Sequence, residues 1–459
     1  MACSDLIILL PGITGSELRK DDKIIWGYSP KIAIQAILKP SKFNENMNLK
    51  QDSINSDLED GIVATRLLPD FHYLPGIKKV DGYSKISKYL ASLEGIIPGE
   101  SFFTFPYDWR RDNRFTAKLL QKFAEKKLQD WRIKSGNKDA KIILIAHSMG
   151  GLVSQYYVEV LQGWKNTRHL ITFGTPFHGA IKSLGALING PKIKGRRVES
   201  LHNLIKGFTS IYQLLPTYDA AVSHESSPAV KIGAGLDFLN LNSKKYECAE
   251  KFFEEIASSH LINLEDEEYR DTFNLRPIAG YGNKTMLSAD IVGEKAILSD
   301  LFNGEMLGGD GTVPRFSAEA NEVVLRKDPV YSIVKHGSLQ NIKGLLDHVG
   351  GVITHKPVNL MGGTLAREWV RILEQDLYST AEKVSIHLEG SERASGLSAK
   401  LISKNSTSEY DIVKGIQNGS YVVNLGKLPE DSYSLIIENN RGLYSETSFC
   451  VANIEEFLS

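Results

Sequence analysis

Cysteine is scarce in this sequence: only Cys3, Cys248 and Cys450 occur in 459 residues. They are far apart, odd in number and never in a Cys-x-x-Cys pair, which argues against a disulfide framework or a structural zinc site and favours free thiols in a reducing compartment. Long apolar runs are also missing. No window reaches the ~18 apolar residues of a membrane span, and Met1–Leu10 has neither the basic start nor the apolar length of a secretory signal. The expected location is therefore cytoplasmic, with peripheral membrane contact left open. Net charge is missing as well, since 54 basic residues face 55 acidic ones. No global field draws in nucleic acid, and no nucleic-acid partner is expected. No metal and no cofactor are expected either.

What is present is an ordinary globular composition, 42% hydrophobic and 24% charged, on a chain long enough for two or three units. Up to about residue 380, short apolar runs alternate with helical patterns, the signature of an α/β fold. Leu6–Leu10, Phe102–Phe105, Lys141–Ala146 and Leu170–Phe173 read as strands, each ended by Pro or Gly or by a tight turn. Phe115, Leu119, Leu120, Phe123, Leu128 and Trp131 recur at helical spacing between the second and third. Residues 177–275 show helical patterns but few strands, and read as a lid insertion. From residue 381 to 459 alternating segments, among them Val384–Leu388, Tyr421–Leu425 and Thr447–Val451, suggest a small β-sandwich placed after a catalytic domain of residues 1–380.

The strongest local signal is Ala146-His147-Ser148-Met149-Gly150-Gly151, set between an apolar strand and a helical Leu152, Tyr156, Val160 pattern. A nucleophilic serine on a sharp strand-to-helix turn needs small residues two places before and after it, here Ala146 and Gly150. A serine hydroxyl also needs a base oriented by an acid, in the chain order Ser, Asp or Glu, His. Asp310 lies in Gly308-Gly-Asp-Gly-Thr-Val-Pro314, where flanking glycines make a tight loop that can fix a carboxylate; taken alone this is an ordinary Asp-Gly turn, and Asp290 and Asp300 are rivals. His336 follows the strand-like Tyr331–Val334 and is the candidate base, with His348 and His355 as rivals on position alone. The oxyanion donors are expected to be the backbone N–H of Met149 and one from the loop after the first strand, where Ile13 follows Pro11-Gly12.

Together, Leu10-Pro-Gly-Ile-Thr-Gly-Ser-Glu-Leu18, Phe105-Pro-Tyr-Asp-Trp-Arg-Arg111, Ala146–Gly151, Gly174-Thr-Pro-Phe-His-Gly179, Gly308–Pro314 and the region of His336 resemble the lecithin–cholesterol acyltransferase family, across roughly residues 5–378. That family includes phospholipid–diacylglycerol acyltransferases and lysosomal-type phospholipases. The resemblance implies an α/β-hydrolase fold, puts Asp310 and His336 on the same footing as Ser148, and implies Ile13 and Met149 as oxyanion donors. The C-terminal β region is outside it. Asp108, Trp109 and Arg110 read as a packed structural corner.

Two segments could handle lipid: Ile32–Leu38 and the stripe containing Phe208, Ile211, Tyr212 and Leu215 in the expected lid. Packing of such a stripe on the core is an equal reading. The expected reaction is acyl transfer from a lipid ester through an acyl-serine to water or an alcohol, with water favoured because an acceptor alcohol must compete with ~55 M water from a shaped, dry site. The competing class is a catalytically silent or partner-regulated protein on a hydrolase fold, with the C-terminal β domain as the surface for a protein partner.

Overall fold

The computed structural model describes residues 3–27, 40–49, 52–55, 60–69, 82–193, 196–223, 226–230, 241–320, 327–355, 370–373, 377–390, 396–403, 406–415, 419–439 and 444–452. The apolar run Ile32–Leu38 lies outside them. The chain divides into two compact units, one carrying the described residues up to 355 and the other those from 370 onward.

The first unit is organised by six strands: β1 (Leu6–Leu10), β2 (Phe102–Thr104), β3 (Ile142–His147), β4 (Thr167–Phe173), β5 (Asn274–Gly280) and β6 (Val330–Ser332). They pair in the order β6-β5-β4-β3-β1-β2, and every pairing is parallel. A parallel sheet is covered on both faces, which is why β1 and β3 are continuous apolar runs buried at every position. Helix α1 (Asn113–Ser135) connects β2 to β3. Asp112 caps it by accepting a hydrogen bond from the Arg114 N–H, and Gly136 ends it with a left-handed φ of 69°. Helix α2 (Met149–Glu159) starts at the end of β3. Helix α3 (Lys343–Thr354) packs Leu345, Leu346, Val349 and Ile353 into one cluster with Ile143, Ile171, Phe173 and Ile278 of the sheet. This is the architecture of an α/β-hydrolase.

The insertion differs from the expected helical lid of residues 177–275. It contains helices, including Ile181–Asn189 and Glu199–Lys206, but also strands. Ala221–Ser223 pairs antiparallel with Ser226–Val230 and parallel with Ser288–Val292, which forms a hairpin with Lys295–Ser299. The cap is therefore built from two stretches of chain on either side of β5. Its longest helix, Ser243–Asn263, rests on α2: Phe252 stacks on Tyr156 at 5.5 Å, and the Tyr156 hydroxyl donates to Glu255 at 2.8 Å.

In the second unit, Val384–Gly390 pairs antiparallel with Ser420–Gly426 and with Val370–Leu373. A second sheet joins Ser398–Ile402, Asp431–Glu438 and Tyr444–Ala452, with Leu377–Ser379 added in parallel. Alternation puts Val384, Ile386 and Leu388 inside and leaves Ser385, His387 and Glu389 outside. Both sheets contribute to a single apolar cluster, so this is a sandwich. The boundary expected at residue 380 falls too late, because Val370–Leu373 and Leu377–Ser379 pair only with strands of the C-terminal sheets.

Leu435 is fully buried in that second core, so Leu435→Ala should cost about 2–5 kcal/mol. In a calorimetric scan it should lower one transition and leave the other in place. Displacement of the whole profile together would mean that the two units unfold as one.

Candidate active site

Strand β3 ends at His147, and the chain turns sharply at Ser148, whose backbone sits at φ 52°, ψ −124° before α2 begins. A non-glycine residue in that region costs ~1–3 kcal/mol, and the surroundings must hold it. They do so from both sides. The Ser148 N–H donates to the Phe173 carbonyl at 2.8 Å, and the Ser148 carbonyl accepts from the Gly151 N–H at 2.9 Å and the Thr175 hydroxyl at 3.0 Å. The turn also lies hard against the loop after β1. A Cβ on Gly150 would sit 2.3 Å from the Pro11 carbonyl oxygen, so only glycine lets α2 start there. Alanine at position 146 fits without adjustment.

The Ser148 hydroxyl lies 2.9 Å from Nε2 of His336, and Nδ1 of His336 lies 2.7 Å from Oδ2 of Asp310. Asp310 is wholly buried. Burial pushes its pKa up, but His336 and the N–H groups of Val313 and Thr312, at 2.7 and 2.8 Å from Oδ1, outweigh that and hold it below the ordinary carboxylate value. An ionised carboxylate only accepts hydrogen bonds. Nδ1 of His336 therefore carries the proton, and Nε2 is left to accept from Ser148. The His336 N–H donates to the Asp310 carbonyl at 2.9 Å, which locks the two loops together. Room for the pair comes from Gly280 at the end of β5, where a Cβ would lie 2.3 Å from that of Asp310.

Ile13 lies in a turn closed by the Gly15 N–H donating to the Gly12 carbonyl at 3.1 Å. That turn borders Ser148: a Cβ on Gly12 would be 2.9 Å from the serine Cβ. Met149 is the first residue of α2 and is fully buried. Beneath the turn runs a chain of hydrogen bonds that the sequence did not reveal. The Gly12 N–H donates to the Tyr83 hydroxyl at 2.7 Å, which contacts Nδ1 of His147 at 2.9 Å; Nε2 of His147 meets the His336 carbonyl at 3.1 Å. A carbonyl only accepts, so Nε2 carries the His147 proton and Tyr83 donates to Nδ1. Burial and the neighbouring His336 depress the His147 pKa to about 3, so its ring is neutral. The loop after β1, the serine turn and the histidine loop are thus tied by one line of bonds.

The rival residues lie elsewhere. His348 is on α3 and His355 is its C-cap; Asp290 is exposed on the cap hairpin, and Asp300 pairs with Lys284 at 3.3 Å. Of the lid residues, Phe208, Tyr212 and Leu215 are buried. Phe208 meets Trp109 edge-on at 5.6 Å, and Tyr212, Leu215 and Ile211 pack in the cap's own apolar cluster. The stripe thus packs inward, one of the two readings the sequence left open. Arg110, fully buried, is held by Asp108 at 2.5 Å and Asp60 at 3.1 Å, the structural corner expected there.

With the geometry in view, the sequence matches the family model of lecithin:cholesterol acyltransferase over residues 41–330. The chain belongs to this family. As a member, it is an acyl-lipid hydrolase or acyltransferase. The matched range contains Ser148 and Asp310, while Ile13 and His336 lie on either side of it. No curated protein matches the sequence. Among solved structures, the chain is similar to a lipase of Bacillus licheniformis, BlEst2 in mature form, at 12% identity over 76% of this chain and 92% of that one, with a TM-score of 0.37. It is also similar to phospholipase PlaB of Legionella pneumophila, at 9% identity over 98% of this chain and 93% of that one, with a TM-score of 0.32.

Tyr83 had no local signal, because its partners are 71 and 64 residues away. Its hydroxyl serves Gly12 and His147 at once, so Tyr83→Phe leaves two buried groups unpartnered, a cost of about 1–3 kcal/mol each. The expected result is a lower melting temperature and a kcat on a short soluble ester reduced about 10-fold, equivalent to ~1.4 kcal/mol of barrier, with KM little changed. An unaltered kcat in a folded variant would remove Tyr83 from the positioning of the site.

Proposed function

We propose that this family member is a serine esterase of lipids, with Ser148 as nucleophile, His336 as general base and Asp310 as the acid that orients it. The observation that carries the reading is the unbroken run of hydrogen bonds from Ser148 Oγ through His336 to Asp310, at 2.9 and 2.7 Å. His336 Nε2 takes the serine proton as Oγ attacks the ester carbonyl. The N–H groups of Met149 and Ile13 receive the oxyanion, since both are backbone donors beside the serine, one of them at a helix N-terminus. Collapse of the tetrahedral intermediate returns the proton to the departing alcohol and leaves an acyl-serine. An acceptor activated by the same histidine then releases the acyl group.

Labelling with a fluorophosphonate tests the nucleophile directly. The native chain should react with one equivalent, and Ser148→Ala should not react. Triad members act as a unit, so Ser148→Ala or His336→Ala should each lower turnover by something like 10⁶-fold and Asp310→Asn by less. Labelling that survives Ser148→Ala, or full turnover in His336→Ala, would overturn the assignment.

Hydrolysis is the favoured outcome. Every step to the acyl-enzyme is common to hydrolase and transferase, so the triad cannot choose between them. An alcohol must outcompete ~55 M water, which needs a shaped site that holds it beside His336. The supporting observation is that the lid stripe containing Phe208, Tyr212 and Leu215 is packed inward and offers no such apolar surface. With a labelled phospholipid, free fatty acid should dominate whether or not diacylglycerol or a sterol is added. Esterified acceptor in excess over free acid would make the enzyme an acyltransferase.

A further inference from the structure

Buried and half-buried arginines in the first unit are as a rule paired. Arg110 has Asp108 and Asp60, Arg111 has Asp52 at 3.1 Å, Arg114 has Asp112 at 2.7 Å, and Arg168 has Asp5 at 2.5 Å. Arg276 on β5 breaks the rule. It is half-buried, its Nε is shut off from solvent with no hydrogen-bond partner, and among the described residues it makes no ion pair. An unpaired charge in such a position is costly, and the usual remedy is a counter-ion.

Its neighbours are basic too. Alternation along the strands puts Arg276 on the face of Ile278, and His169 on the face of Ile171; Ile278 and Ile171 both belong to the cluster under α3. His169 is buried, and its Nδ1 likewise lacks a partner. His348 is half-buried on α3, and His355 is the exposed C-cap of that helix, in the left-handed region. The charge of Arg276 bears on both His169 and His348, and His355 bears on His169; burial, the larger cause, and this mutual repulsion depress the pKa values of His169 and His348. Among the described residues, Asp5 is an acid whose charge bears on His169, and Arg168 already holds it. The cluster lies four residues before Gly280 on β5, roughly 13 Å along the strand from the Asp310 loop. It is separate from the triad.

We propose that Arg276, with His169, His348 and His355, binds a phosphate group: inorganic phosphate or a phosphomonoester dianion. A guanidinium presents a fork of donors, and three imidazoles add one or two each. A carboxylate has a single charge and two oxygens, and it leaves part of this set unused. A phosphate dianion, with more charge and three or more acceptor oxygens, matches it better.

Titration calorimetry on the full chain, at fixed ionic strength in chloride, tests the site with inorganic phosphate, glycerol 3-phosphate and acetate as probes. The expected result is saturable binding of both phosphate compounds and weaker binding of acetate. Arg276→Gln should weaken phosphate binding about 10-fold or more, equivalent to ~1.4 kcal/mol, and Ser148→Ala should leave it unchanged. His348→Gln, at a half-buried helix position, should also weaken it and carries the test if Arg276→Gln does not fold. Phosphatidylcholine vesicles with and without phosphatidate separate the sources. Arg276-dependent binding to phosphatidate vesicles that free phosphate displaces identifies a lipid headgroup, and binding of the soluble compounds alone identifies a soluble phosphate. Absence of saturable phosphate binding, binding that survives Arg276→Gln, or acetate binding as tightly as phosphate would each overturn the proposal.

Discussion

The close approach of the Ser148 turn to the loop after β1 is the constraint on which the rest of the site depends. The turn is strained at φ 52°, and three independent bonds to Phe173, Gly151 and Thr175 hold it there. Helix α2 can start only because Gly150 leaves room for the Pro11 carbonyl. Once these two backbones touch, the loop after β1 lies beside Ser148 and the start of α2. A side chain at position 150 would push α2 away from β1 and separate the serine from that loop. The strain is local, while the packing that offsets it is distributed over three strand ends.

Electrostatics then fixes the direction of each hydrogen bond. Asp310 is buried yet ionised, because two backbone N–H groups and His336 together outweigh the loss of water. That ionisation dictates the tautomer of His336 and so leaves Nε2 facing Ser148. On the other side, His147 is kept neutral by burial, so a second imidazole 4.9 Å from His336, ring centre to ring centre, adds no repulsion. Its own tautomer follows from the His336 carbonyl, and the Tyr83 hydroxyl must point accordingly. Two histidines side by side thus hold opposite roles. One is polarised by a carboxylate, and the other is a neutral strut.

The features legible in the sequence were those carried by local pattern. Apolar runs marked β1 to β4 but not β5, which Arg276 and Pro277 interrupt; small residues marked the serine turn, and glycines on both sides marked Asp310. His336 was less certain from position, since His348 and His355 also follow Asp310, and only distance separates them. Tyr83 was invisible because nothing next to it in the chain reflects partners on β1 and β3. The cap sheet was missed for a similar reason: Ala221–Ser223 is three residues long and finds its parallel partner at Ser288–Val292, beyond β5. The stripe of Phe208, Tyr212 and Leu215 has the same periodicity whether it meets lipid or core, so sequence alone could not orient it. Val370–Leu373 and Leu377–Ser379 were likewise too short and too polar around Arg371 and Asp376 to declare their sheets, which shifted the domain edge.

The two ends of the central sheet solve the burial of charge in opposite ways. At the C-terminal end of β5, the buried carboxylate of Asp310 is met by three donors from this chain, and its charge fixes the tautomer of His336. Nearer the start of β5, the buried Nε of Arg276 has no hydrogen-bond partner among the described residues, and neither does Nδ1 of His169 on the neighbouring β4. Neither pattern is a by-product of folding, because both cost stability unless some partner is present. For Asp310 the partner is internal. For Arg276 the three surrounding imidazoles are cationic or neutral, and a rearrangement of these side chains supplies no acceptor charge. No described residue supplies the acceptor that Arg276 lacks, and this is the observation on which the phosphate proposal rests.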